Sequence, residues 1–314
     1  MAITVTSLGT AQGKSGTITI GSLTYAVDDV LIAVGAGDFL PNLSSTGLQV
    51  LTSGTTWVYF DAHDATASNV GNVYTFIDRK TVTVARTGDG SVRLLYGGSY
   101  SFAFTLYKVT GLASTPLDKS AGTTGTGTAP SSGATATLTQ ADELIIGGVG
   151  TEGPDEDTAG TWTTGTGNVS GNEQRLGTTG AGAASNITVS SAAEVVAATD
   201  AQTAAKTGIT SRDWAAAVAT YKGAGATSVS VTDTMSLSDA TPSIQNNLTI
   251  SQAIAITDAL SIKNSLTISD TLSLADIVSW LGKVSIPDTL SLSDAVSLKA
   301  FLTITQSLAI SDTA

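Results

Sequence analysis

LTISQA-IAITDA-LSIKNS-LTISDT-LSLADI-VSWLGK-VSIPDT-LSLSDA-VSLKAF-LTITQS-LAISDT, residues 248–313, is a run of six-residue units with no insertion between them. Two further units, VSVTDT from Val229 and MSLSDA from Met235, precede a one-residue irregularity in TPSIQNN around Pro242. Positions one and three of a unit are apolar and position two is Ser, Thr or Ala. That alternation has the period of a strand with one face turned to a core. The inward set comprises Leu248 and Ile250, Leu266 and Ile268, Leu272 and Leu274, Val284 and Ile286, Leu290 and Leu292, and Leu302 and Ile304, with Trp280 at an inward position where Leu or Ile is usual. Position five is most often Asp, as at Asp258, Asp270, Asp288 and Asp312. An Asp carboxylate bonds nearby backbone N–H groups and so favours a turn. Each unit therefore reads as a short strand and a corner.

Every third unit breaks the Asp rule and carries Lys263, Lys299 or the Leu281–Gly282 pair at its corner, which sets a second period of 18 residues. Three sides per lap is the period of a triangular β-solenoid, whose stacked laps bury Leu and Ile continuously. The repeat resembles the hexapeptide left-handed β-helix, with Ser or Thr where that family usually has a small residue or Gly. A trimeric β-prism, to which three chains each contribute strands, satisfies the same pattern. The absence of a capping segment after LAISDT favours a partner over the last strand edge.

The first 222 residues alternate differently. Runs rich in β-branched and aromatic residues recur between turn signals: ITVTSL, GTITIG, DVLIAVGAG, TWVYFDA, NVYTFID, TVTVAR, SVRLLYG, SFAFTLYKVTG, ATATLT, DELIIGGVG, NITVS, EVVAAT and WAAAVATYKG. That spacing predicts a β-sandwich over 1–222. The stretch 120–133, made of Gly, Thr, Ser, Ala and Pro, reads as a long surface loop, and DAQTAAKTG near Ala204 as one helical turn. KGAGATS places a linker at 223–228, with the repeat region over 229–314. The predicted fold class is all-β: a jelly-roll-like sandwich followed by a hexapeptide-repeat β-solenoid or trimeric β-prism.

The succession of DVLIAVGAG, an aromatic Tyr-Lys-Val strand, LDKSAGTTGTGTAPSS, DELIIGGVGTEG and RDWAAAVATYKG resembles a β-sandwich module of tailed-bacteriophage structural proteins and some bacterial surface proteins. The resemblance covers most of 1–222. It implies a jelly-roll-like module on a capsid, tail or fibre and brings no chemistry with it.

Composition limits the partners. Charged residues make up 13% of the chain, against about 25% in an average protein, and the net charge is -12. Neutralising a phosphate backbone takes clustered Lys and Arg, so nucleic acid is not an expected partner. With no cysteine the chain has neither disulfides nor thiolate metal sites. No apolar run approaches the roughly 18 residues of a membrane span. MAITVTSLGTAQGK has neither the basic nor the apolar segment of a secretory signal. A chain without a signal but with an extracellular composition fits a virion part assembled in the host cytoplasm and released by lysis.

Three places carry chemically interesting residues. His63, the one histidine, lies in DAHDAT between Asp61 and Asp64, but no Gly-x-Ser-x-Gly elbow supplies a nucleophile. It reads as part of a polar loop at a strand end. EGPDED gathers Asp155, Glu156 and Asp157 as candidate Ca²⁺ ligands without the alternation of an EF-hand loop, and reads as a solvated acidic loop. Trp57 and Tyr59 share one strand face, which predicts core packing, with a glycan-stacking platform as the other reading. Trp214 is expected in the core. The expected function is a non-enzymatic virion part without cofactor, such as a head decoration, head fibre or tail fibre protein. Its expected partners are itself, as a homotrimer, and other virion proteins. A host-glycan adhesin is the alternative.

Overall fold

The computed structural model describes residues 2–14, 16–38, 47–69, 72–95, 100–157, 159–179, 185–224 and, beyond these, the backbone of short strands between 229 and 311. The chain divides into two compact units, Ala2–Ala224 and Gly225–Ala314. Both are built of strands, and no α-helix occurs among the described residues.

The first unit contains two halves with one plan. In the first half, β1 (Thr4–Gly13), β3 (Val30–Gly37), β6 (Ala62–Asn69), β7 (Val73–Thr81) and β9 (Phe102–Thr110) form an antiparallel sheet in the order β1-β9-β3-β7-β6. A second sheet has the order β2-β8-β4-β5, from β2 (Thr17–Tyr25), β4 (Leu48–Ser53), β5 (Thr56–Tyr59) and β8 (Arg86–Leu95). In the second half the sheet β10-β17-β12-β15-β14 contains β10 (Leu112–Gly127), β12 (Glu143–Glu152), β14 (Gln174–Gly177), β15 (Ile187–Val196) and β17 (Arg212–Gly223). Its smaller companion is β11-β16-β13, from β11 (Ser131–Ala134), β13 (Thr161–Trp162) and β16 (Thr203–Thr207). Taken in chain order, each strand of the second half has a counterpart at the same place in the first. Only β5 has none.

The two five-stranded sheets pack face to face, so the unit is four layers deep rather than the single sandwich predicted over 1–222. This explains the unbroken apolar run of β3, which is buried along its whole length. Val30, Ile32, Val34 and Ala36 enter the central seam with Leu144, Ile146, Ile187, Val189 and the odd-numbered alanines of β17. Leu31 and Ala33 turn the other way, against Ile18, Ile20, Leu48, Val50, Val92 and Leu94 of the outer sheet. A strand buried on both faces loses the apolar–polar alternation that marks a half-exposed one.

Small residues let the central layers approach. At Gly148 and Gly150 a side chain would collide with Val34, Thr75 and Ala36 of the opposite sheet. Hydroxyls lock the seam: Thr75 Oγ1 donates to the Ala215 carbonyl at 2.8 Å, and Thr105 and Ser191 share a bond of 2.7 Å. These hydroxyls are partnered, as burial favours, whereas that of Tyr221 in the same seam is not.

A predicted loop and a predicted helical turn are strands. Residues 120–127 of the 120–133 stretch complete β10, whose pairing with β17 runs unbroken from Ser120↔Ala219 to Gly127↔Arg212, and Ser131–Ala134 form β11. The glycines of β10 mark close approach and not looseness, since a Cβ at Gly125 would lie 2.5 Å from the Trp214 ring. DAQTAAKTG forms β16, where Ala204 and Lys206 alternate inward with Thr203 and Ala205 outward. Conversely, most of TVTVAR and of ATATLT lies outside the strands.

In the second unit the strands are parallel and in register. Leu248 lies beside Leu266, Leu266 beside Val284, and Val284 beside Leu302. Ile254, Leu272, Leu290 and Leu308 form a second such row. Ile262, Trp280 and Leu298 belong to a third. Each step is eighteen residues. The first lap is one longer for Val229↔Leu248 and Met235↔Ile254, but not for Ser243↔Ser261, which puts the extra residue between Leu237 and Ser243.

Candidate functional site

Strand β5 has a neighbour only on the β4 side, so it is the edge of the outer sheet of the first half. Leu48 and Val50 point into the sandwich interior, and alternation therefore turns Gln49 to the opposite face. Register places Gln49 opposite both Tyr59 and Arg93, and Arg93 opposite Thr19. Thr19, Arg93, Gln49 and Tyr59 thus form one row across four strands. The Arg93 guanidinium lies 3.9 Å over the Trp57 ring, and its Nε donates to Gln49 Oε1 at 2.8 Å. Stacking and hydrogen bond together fix the plane of the guanidinium. Among the described residues neither Nη atom has a hydrogen-bond partner.

Trp57 and Tyr59 are consequently not core residues. Tyr59 is 56% exposed and Trp57 is half-buried beneath Arg93. They share one strand face, as the alternation predicts, and it is the outward one. Trp214 is likewise half-buried, packed at the margin of the second half's interior beside Gly125.

His63 lies on strand β6 and not in a loop. A bulge between His63 and Ala65 interrupts the pairing with β7. His63 Nδ1 contacts Asp78 Oδ1 at 2.6 Å, and Nε2 lies 3.0 Å from the Tyr74 hydroxyl. Asp64 takes both Nε and Nη2 of Arg79, at 2.9 and 3.3 Å, and Asp61 pairs with Lys80. The Asp–His–Tyr chain has the connectivity of a relay, but it ends on a buried phenol whose proton is held on by burial and by the charge of Asp78. A nucleophile needs the opposite shift. The network reads as structural, tying an edge strand to its neighbour.

The acidic stretch folds as a 3-10 turn over Asp155–Asp157. Asp155 pairs with Arg175 at 3.0 Å and Asp157 with Arg212 at 2.5 Å, while Glu156 faces solvent. Two of the three candidate Ca²⁺ ligands are thus already matched by cations. Among the described residues no group of three or more His, Cys, Asp or Glu converges as metal ligands do.

Two buried ionisable groups escaped sequence reading. Lys206 is 3% exposed, donates to Ser190 Oγ at 3.1 Å and lies 5.4 Å from the Trp162 ring. Burial, and then the neighbouring Arg175, push its pKa down to about 8. A serine beside a lysine of lowered pKa is the pairing of some hydrolases, but here both are closed off in the core. Glu143 at the start of β12 is fully buried, and neither carboxylate oxygen has a hydrogen bond of acceptable geometry. Burial first and the charge of Asp118 second raise its pKa to about 7. Burial also works to raise Asp118. Bonds from the Thr139 hydroxyl and amide, helped by Lys119, outweigh it and leave Asp118 lowered. The alternation of Ala204 with Lys206 was the available signal for the lysine, and the position of Glu143 directly before LIIGGVG for the acid.

In the repeat, the predicted inward positions fall on strands in matching register: Leu248 and Ile250 beside Leu266 and Ile268, Leu272 and Leu274 beside Leu290 and Leu292, Val284 and Ile286 beside Leu302 and Ile304. The Asp corners, Asp258, Asp270, Asp288 and Asp312 among them, lie outside the described residues. Compared with known proteins, the chain matches no family model, no curated protein and no solved structure.

Proposed function

We propose that the chain is a non-enzymatic structural component of a bacteriophage virion, a head decoration, head fibre or tail fibre protein that acts by self-association and attachment to the particle. The observation that carries this reading is the parallel register of eighteen residues in the second unit. It supports a β-solenoid in which each lap has three short sides and the Leu and Ile columns form a continuous core. Backbone bonds along the axis then make a stiff rod. In the first unit, the order β1-β9-β3-β7 facing β2-β8-β4-β5 is that of a jelly roll with β6 added at one edge. The second half repeats it without a counterpart of β5. Two jelly-roll-like halves, followed along the chain by a repeat that would wind into a rod, suit a mechanical part, and a chain with few charges and many hydroxyls suits permanent subunit contacts.

The chain would assemble in the host cytoplasm and be extracellular once the particle is released, as a homotrimer with other virion proteins around it. Sedimentation equilibrium of the full chain tests this. Three chains per particle over the micromolar range is the expected result, and a monomer at every concentration up to the solubility limit would overturn it.

A second reading, a host-glycan adhesin, is favoured by one observation: the exposed Tyr59 beside an oriented Arg93 on the outward face of the β5 sheet.

A further inference from the structure

We infer that the outward face of the β2-β8-β4-β5 sheet is a binding site for carboxylate-bearing saccharides, with Arg93 as the anion receptor and Tyr59 as the stacking surface. This rests on the adhesin reading and gives it a ligand class.

The argument begins with what holds Arg93. A surface arginine is usually a mobile side chain that loses rotamer entropy when it binds. Arg93 has already lost that freedom, because its face lies on Trp57 at 3.9 Å and its Nε is bonded to Gln49 Oε1 at 2.8 Å. Gln49 is itself 6% exposed and fixed in the sheet, so the acceptor that orients the guanidinium is part of the scaffold. The two Nη groups are left over. They form a planar fork of N–H donors matched to the two oxygens of a carboxylate.

Trp57 is therefore a pedestal for the cation and not a sugar platform, since the guanidinium covers one ring face. The open aromatic is Tyr59, two residues along the same strand and opposite Gln49 in register. An exposed phenol ring binds the C–H face of a pyranose, and the exposed Thr17 and Thr19 add hydroxyls at the rim. No carboxylate of the chain forms an ion pair with Arg93 among the described residues, although Arg79, Arg86, Arg175 and Arg212 each have one. In a chain of net charge -12, an oriented arginine without an acidic partner stands out as a receptor for an external anion. Among the described residues the second half has no counterpart of β5, so the site belongs to the first half alone.

The experiment titrates the full chain with oligogalacturonate and with its fully methyl-esterified form, followed by saturation-transfer NMR and calorimetry. The acid is expected to bind at least roughly tenfold more tightly than the ester, the worth of one charge-assisted hydrogen-bonded pair. Arg93→Met is expected to abolish that difference, Arg93→Lys to reduce it, and Tyr59→Ala to weaken both forms about equally. Tyr59 is exposed, so its variant reports on binding even where Arg93→Met disturbs the sheet. Equal binding of acid and ester that Tyr59→Ala weakens would overturn the acidic class and leave the adhesin reading standing. Absence of binding by either form at millimolar concentration, or binding insensitive to both substitutions, would overturn the site itself.

Discussion

Tyr107 and Tyr221 stand at equivalent places in the two halves of the first unit. Tyr107 lies opposite Ile32 of the neighbouring strand β3, Tyr221 lies opposite Leu144 of β12, and both rings fill the same central seam. Their hydroxyls differ. That of Tyr107 meets Ser191 Oγ at 2.8 Å and the Asn172 carbonyl at 2.9 Å. That of Tyr221 lies near enough to Asp64 for burial and then the carboxylate to hold its proton on, yet no hydrogen bond of acceptable geometry joins them.

The pair predicts unequal costs for one chemical change. Tyr107→Phe removes a satisfied donor and strands its partners, and is expected to destabilise by about 1–2 kcal/mol. Tyr221→Phe deletes a hydroxyl that gains nothing from burial, and is expected to change stability by less than about 0.5 kcal/mol or to raise it. Urea unfolding of the two variants checks this, and equal losses would contradict it.

Glycine packing gives a second prediction. A Cβ at Gly147 would lie 2.6 Å from both the Ala204 Cβ and the Val169 Cγ1, in a core where neither neighbour is exposed by more than 1%. Gly147→Ala is therefore expected to cost about 1–3 kcal/mol by overpacking. Gly21→Ala, whose Cβ would meet only Ser91 Oγ at 3.5 Å, is expected to stay within about 0.5 kcal/mol of the parent. Thermal denaturation of the two variants side by side decides it.

Glu143 predicts a pH dependence. Its carboxyl keeps its proton up to about pH 7 in the folded chain, against 4.5 for the ordinary glutamate of an unfolded one. The stability this contributes is fully present below the unfolded value and is lost as pH rises through the folded one. Unfolding free energy is thus expected to fall between pH 5 and pH 8. Lys206, lowered to about 8, gives up its proton mainly above that window, while Glu152 and Asp38, both raised chiefly by burial, add to the fall. The difference between the parent and Glu143→Gln isolates the one group. It should grow with pH in favour of Gln, and parallel profiles would contradict the assignment.

The sequence showed strand positions better than it showed layers. DVLIAVGAG and DELIIGGVG were visible as apolar runs, and each is the centre of an inner sheet. What escaped notice was that they, with TLYKV and ATYKG, occur as two sets with one order. With Tyr107-Lys108 set against Tyr221-Lys222, Phe102, Leu106 and Val109 of the first half correspond to Ala216, Thr220 and Gly223 of the second, so the duplication survives in topology more than in residue identity. In the 120–133 stretch Gly and Thr signal a loop locally, whereas in residues 120–127 they lie flat along β17. For the β5 face, TWVYF gave the shared side of Trp57 and Tyr59. Which side faced solvent depended on Gln49 and Arg93, distant in sequence and adjacent only through register. The repeat was the most legible part, because a period of 18 in sequence and a step of eighteen in strand register express the same geometry.

The proposal that the 229–314 region winds into stacked laps is tested most directly by a distance along one of its rows. Ser230, Thr249, Thr267, Ser285 and Thr303 are consecutive members of the first row. The chain has no cysteine, so Ser230→Cys and Thr303→Cys place spin labels at those two sites alone. With doubly labelled chain diluted into unlabelled chain, pulsed dipolar spectroscopy should give a narrow distribution centred near four strand spacings, roughly 19 Å apart before the label linkers are added. A broad distribution centred well beyond 30 Å, roughly the range of an extended or unpaired segment, would contradict the stacked rod and remove the support for a structural role.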